Sequence, residues 1–257
     1  MQNKVSVGSV FSRVFGIYGG QASTLIPVAF ALFLVVGILQ GLLPGILGLI
    51  AALASVVASL FYTGMVVKLV EDVEDGRRDY TAGELMKSVT PVVVPLFIAG
   101  LIVGVGVAIG LLLLIIPGLI LLTIWAVVGP VVVVERAGVT DALGRSRALV
   151  KGNGGSVFLV ILVSFLITTV VSAVLGAIGA AIGGVVVRII FSVLANTLTA
   201  PIAALVGAVL YFTLRGSGGI ADASGGVATA TGPEVPGSTP PPPPPPPAAS
   251  GGPQSPA

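Results

Sequence analysis

The sequence of 257 residues has no cysteine and no histidine. That excludes disulfides, thiol nucleophiles, imidazole bases and the commonest zinc and haem ligands at once. Charge is also scarce. Asp, Glu, Lys and Arg make up 9% of the chain, against about 25% in a soluble domain. Also missing are a phosphate-cradling glycine loop, a nucleophile elbow and paired acids within an apolar run, so neither enzymatic activity nor a cofactor is expected. The acidic group Glu71, Asp72, Glu74 and Asp75 has Arg77 and Arg78 beside it. Its spacing matches no calcium loop, and a solvated, ion-paired loop is expected there.

Apolar residues, by contrast, are abundant: 55% of the chain, for a mean hydropathy of +1.13. Lipid is the expected solvent for most of it. A net charge of +2 implies no nucleic-acid partner; what matters is where the basic residues lie. From Pro91 to Val134 there is no charged side chain. One helix over that stretch would measure about 66 Å at roughly 1.5 Å per residue, more than twice the roughly 30 Å hydrocarbon core. The stretch must cross twice, and Ile116-Pro117-Gly118 is the expected reversal. The same argument divides Val14 to Val67 at Gln40 to Gly45, and Val157 to Leu214 at Gly179 to Gly184. An all-α polytopic membrane bundle follows, with spans near 24–43, 46–69, 91–115, 118–134, 157–178 and 189–214.

Three short helices are expected to lie along the surface. Val7, Val10, Phe11, Val14, Phe15 and Tyr18 recur at helical spacing in residues 1–23, which are read as a lead-in helix and not a signal peptide. Thr81 and Glu84 have capping-box spacing. Thr140 is the expected cap of a third helix, with Asp141 at its start and Lys151 at its end. Each precedes a two-span hairpin, suggesting three repeated units. With six spans and the N-terminus inside, every Lys and Arg except Arg188 falls on the inner side, an asymmetry that predicts both termini in the cytoplasm. Residues 216–257, with an unbroken proline run from Pro240 to Pro247, are expected to be a disordered cytoplasmic tail carrying a polyproline rod.

Few polar residues remain within the apolar runs: Gln40, Ser55, Ser59, Thr63, Thr123, Ser164, Thr168, Thr169, Ser172, Asn196, Thr197 and Thr199. A lone hydroxyl in a span usually bonds its own backbone. Asn196 and Thr197, just ahead of Pro201, are the cluster that stands out, because a proline frees backbone carbonyls beside an amide. Small residues four apart, such as Gly100 with Gly104 and Gly106 with Gly110, allow close helix approach within the chain or in a homo-oligomer.

The segment Pro117 to Trp125, then Gly129-Pro130 through Glu135, then Gly138 to Asn153 with its Ala142-Leu143, Ser146, Leu149 and Gly152, resembles a bacterial integral-membrane family. This is the glycerophosphoryl diester phosphodiesterase membrane-domain family, related to the YciC-like proteins. Ser6 to Phe11 with Tyr18, and Asp75 to Leu85, resemble it too, so the likeness covers roughly residues 5 to 215. The resemblance implies the membrane part alone: hydrolysis in such proteins belongs to an appended barrel domain, and after Arg215 this chain has only the proline-rich segment.

The expected protein is a non-enzymatic module of the bacterial cytoplasmic membrane, structural, lipid-associated or partner-binding. Arg13, Lys87, Arg145, Arg147 and Lys151 would meet anionic headgroups. Its partners would be the bilayer itself, a membrane or cytoplasmic protein, or a second copy. The alternative is a permease or lipid-handling carrier with a site at Asn196, Thr197 and Pro201. A polar cavity at mid-membrane would favour the carrier and a tightly packed interior the module.

Overall fold

The computed structural model describes residues 5–43, 45–76 and 81–225, the side chains of 82 and 217–225 excepted. Lys4, Arg77, Arg78, Asp79 and the proline run lie outside them. Among the described residues there is no strand. The helices are α1 (Val7–Gly20), α2 (Ala22–Leu42), α3 (Ile46–Glu74), α4 (Ala82–Val89), α5 (Val93–Leu113), α6 (Ile115–Ile124), α7 (Val128–Glu135), α8 (Val139–Val150), α9 (Gly154–Ile182) and α10 (Val185–Gly225). A 3₁₀ turn, Thr90–Val92, carries Pro91 between α4 and α5. Six stretches are long and apolar enough to cross a membrane: α2, α3, Gly83–Leu113, α6 with α7, α9, and α10 to Gly216. The fold is an all-α bundle, in the expected order of a short helix followed by a hairpin, three times over.

Several boundaries differ from expectation. The central reversal falls at Leu114, which is extended (φ −158°, ψ 135°), and not at Ile116-Pro117-Gly118. Pro117 instead sits in the first turn of α6, where a missing N–H breaks no intrahelical bond. Gly118 is needed for contact: a methyl group there would lie 2.5 Å from the Leu111 amide nitrogen, and one on Gly110 would lie 2.9 Å from the Gly118 Cα. The two backbones therefore touch along the small-residue stripe, and Gly106 faces the Trp125 ring.

The fourth span is also not continuous. It breaks at Trp125-Ala126-Val127, between α6 and α7, where 3₁₀-type bonds run from the Ala126 N–H to the Thr123 carbonyl and from the Val128 N–H to the Trp125 carbonyl. Pro130, two residues into α7, cannot donate back across the break. Thr140 does not cap α8. Gly138 is the N-cap, without a side-chain bond, so the helix starts one residue before Thr140. α10 runs on through Gly216 to Gly225, in a stretch expected to belong to the tail; no proline intervenes before Pro233, and extending a helix is cheaper than starting one. Gly183 and Gly184, both at positive φ, make the α9–α10 turn at the far edge of the expected Gly179 to Gly184 bend.

Burial is uneven along the long helices. The core is built from Val10 and Val14 of α1, Tyr62 to Val70 of α3, Leu85 of α4, Val131 to Val133 of α7, Ala142 of α8 and Leu205 to Leu214 of α10. Most of these lie towards the end of the bundle that carries the charged loops, with Tyr62 at mid-span. At the other end Leu42, Ile46, Leu49, Leu112, Leu113, Ile116 and Val186 are exposed. α1 is thus more than an interfacial helix, because Val10, Val14 and Ile17 are buried against the bundle while Phe15 points out.

Candidate functional site: a polar cavity at mid-span

Four long helices share an open cavity of about 620 Å³, and each contributes residues from near its own middle. α3 supplies Ser59, Tyr62 and Thr63; α9 supplies Thr168, Thr169 and Ser172; α10 supplies Asn196 and Thr199. Phe33 of α2 and Phe165 of α9 add aromatic wall, and Ala173, Ala200 and Ala203 add small apolar surface. No Asp, Glu, Lys or Arg lines it.

Helical periodicity explains how one face of each helix comes to be polar. On α9, Phe165, Thr168, Thr169, Ser172 and Ala173 recur at intervals of three and four, and on α10 so do Asn196, Thr199, Ala200 and Ala203. Several of these groups are satisfied locally. Thr63 donates to the Ser59 carbonyl (2.8 Å), Thr168 to Ser164 (2.9 Å) and Thr199 to Ala195 (2.8 Å). Tyr62, almost wholly buried, donates across to the Leu25 carbonyl of α2 (3.1 Å). The Asn196 Nδ2 donates to the Ser192 carbonyl (2.9 Å) and leaves Oδ1 open. Among the described residues the hydroxyls of Ser59, Thr169 and Ser172 have no hydrogen bond, and all three are exposed to the cavity.

Of the three residues expected to form an intramembrane site, the structure brings one to the cavity. Asn196 lines it. Thr197 is buried and bonds the Val193 carbonyl (2.8 Å), and Pro201 is buried within a helix that continues through it. Their helical offset explains the split, since one residue of separation turns Thr197 about 100° away from Asn196. The hydroxyls of α3 and α9 were legible as polar residues but not as one site. The signal was there: Ser59 with Thr63, and Thr168 with Thr169 and Ser172, repeat at helical spacing in the middle of their spans.

Compared with family models, with curated proteins and with solved structures, the chain matches none.

At the charged end the expected headgroup residues divide into two sets. Arg13 is ion-paired with Glu74, tying α1 to the end of α3, and Arg145 is 3.3 Å from Glu135, tying α8 to α7. Lys68 pairs with Glu71 at 2.6 Å, so two of the four loop acids are engaged in ion pairs. Lys87, Arg147 and Lys151 have no ion-pair partner among the described residues. Glu135 also accepts from the Tyr211 hydroxyl at 2.8 Å, and Arg215 reaches that hydroxyl at 3.5 Å. The Val5 N–H donates to Asn153 Oδ1 (3.3 Å), which fastens the start of the chain to the start of α9. α4 carries the expected capping box, with the Thr81 N–H donating to the Glu84 carboxylate at 2.8 Å.

Proposed function

We propose that this chain is a non-enzymatic, multi-pass protein of the bacterial cytoplasmic membrane that binds a bilayer lipid in the mid-span cavity, as a lipid-handling carrier does. Both termini face the cytoplasm, and the charged end of the bundle with α1, α4 and α8 lies at the inner leaflet. The observation that carries the proposal is the cavity: uncompensated hydroxyls are expensive in hydrocarbon, and α3 and α9 turn three of them towards one space that the Asn196 amide of α10 also lines. A structural module would have no use for it. A volume of about 620 Å³ falls within the roughly 300–1,000 Å³ of small-ligand sites. The positive-inside distribution of Lys and Arg supports the orientation. At the inner leaflet Lys87, Arg147 and Lys151 hold anionic headgroups, while Arg13 and Arg145 serve mainly internal ion pairs.

The test is extraction of the full chain from native membranes in polymer-bounded discs, followed by lipid analysis. One lipid species is expected to be enriched over bulk membrane, and to be lost from the cavity-filling variant Ala173→Trp/Ala203→Trp. The same lipid profile in both proteins and in bulk membrane would overturn lipid binding. A stoichiometric protein partner recovered without enriched lipid would restore the structural-module alternative.

A further inference from the structure

We infer that the lipid held in this cavity has an uncharged, hydroxyl-bearing head, of the diacylglycerol class. The inference rests on the lipid-binding reading above and adds the chemistry of the ligand.

Two observations select for it. The first is electrostatic. Among the described residues, the cavity wall offers hydroxyls, one amide and aromatic rings, and nothing ionised. A phosphate or carboxylate drawn to this depth would have no countercharge, and an unpaired charge is costly at mid-bilayer. A free hydroxyl costs far less to bring there, and here it finds what it needs. Asn196 Oδ1 accepts, while the Ser59, Thr169 and Ser172 hydroxyls, unbonded in this structure, can donate or accept.

The second observation concerns the route in. A water-soluble polyol would satisfy the same groups, but it needs a polar path. Towards the charged end the cavity is closed by the buried core, with Tyr62, Met65 and Val66 on α3 and Ala204 and Leu205 on α10. Towards the other end the same helices expose Leu49, Leu53, Val174, Ile178, Val186 and Ile190. These surfaces are wetted by hydrocarbon and favour a molecule already dissolved in the bilayer. A neutral lipid without a bulky charged headgroup meets both conditions, because its chains follow the apolar helix surfaces while its hydroxyl sinks to mid-depth.

The experiment uses the full chain in phosphatidylcholine liposomes with two photoactivatable probes that share acyl chains, one a diacylglycerol and the other a phosphatidic acid, and maps adducts by mass spectrometry. The diacylglycerol probe is expected to label peptides of α9 around Thr168 to Ala173 and of α10 around Asn196 to Ala203. Unlabelled diacylglycerol should compete, and the phosphatidic acid probe should label these sites at least about tenfold less. Asn196→Leu, and separately Thr169→Val/Ser172→Ala, should each reduce diacylglycerol labelling severalfold, whereas Thr197→Val, off the cavity, should not. Two independent variants guard against loss of labelling through misfolding, which would also change elution on gel filtration. Equal or stronger cavity labelling by phosphatidic acid would overturn the uncharged-head inference and leave lipid binding standing. Labelling of the cavity by neither probe, or labelling indifferent to both variants, would overturn the two together.

Discussion

The Ser146 hydroxyl of α8 donates to the Ile124 carbonyl at 2.8 Å, at the point where the fourth span breaks between α6 and α7. Ser146 is completely buried. A break in an apolar helix strands backbone carbonyls that lipid cannot satisfy, and such breaks persist only where protein groups take over those bonds. α8 is therefore more than a surface helix; with Ala142 and Val150 also buried, it is wedged against the break.

Ser146→Ala should accordingly cost about 1–2 kcal/mol, because it leaves a buried carbonyl without a partner. The check is reversible unfolding in mixed micelles, with Ser88→Ala as comparison. Ser88 bonds the Leu85 carbonyl of its own helix, on a partly exposed site, and its loss should change stability less.

Gly118→Ala should destabilise the central hairpin by about 1–3 kcal/mol, the usual cost of overpacking. The added methyl would meet the Leu111 backbone at 2.5 Å, where no flexible side chain can yield. Gly104→Ala on α5 has no neighbour within 4 Å and should be neutral or stabilising by up to about 1 kcal/mol through helix propensity. Thermal melts of the two variants in one detergent separate close packing from a general intolerance of alanine.

Tyr211→Phe should lower stability by about 1.5 kcal/mol, since it removes a bond to a carboxylate from a buried ring. Arg145→Ala, which removes the other, half-exposed partner of Glu135, should cost no more than about 1 kcal/mol. A measured order opposite to this would mean that the Arg145 ion pair, and not the Tyr211 bond, holds α7 to its neighbours.

Because the chain has no native cysteine, single cysteines report topology cleanly. Gly144→Cys on α8, exposed at the charged end, should resist a membrane-impermeant maleimide in intact spheroplasts and react after permeabilisation. Leu47→Cys, at the opposite end, should react in intact spheroplasts. The reverse pattern would place the termini outside.

Removing Lys87, Arg147 and Lys151 together as glutamines should reduce anionic lipid around the extracted protein, each residue being worth about 1 kcal/mol near an anionic surface. Arg13→Gln should do so less, since that guanidinium is already engaged by Glu74. Lipid analysis of the same discs reads both.

The apolar runs alone were enough to count six spans and to place the α2–α3 and α9–α10 turns to within a few residues, and Thr81 with Glu84 announced the cap of α4. Partition into lipid is a sum over one segment, so it can be read without knowing any neighbour. Proline was ambiguous in the same text: Pro117 can stop a helix or open one, and only the contact of Gly110 with Gly118 moved the turn back to Leu114. The break at Trp125 to Val127 was likewise invisible, because it is tolerated through Ser146, twenty-two positions beyond the Ile124 whose carbonyl it bonds. The cavity depended most on tertiary structure. Ser59 and Thr169 each read singly as an isolated polar residue on an apolar helix, Asn196 read as a site with Thr197 and Pro201, and only the packing of α3, α9 and α10 sets Ser59, Thr169 and Asn196 around one space. Between helices in lipid there is no hydrophobic drive to dictate which faces meet. Close contact and the few available hydrogen bonds decide it, and both are properties of pairs of helices that no single stretch of sequence contains.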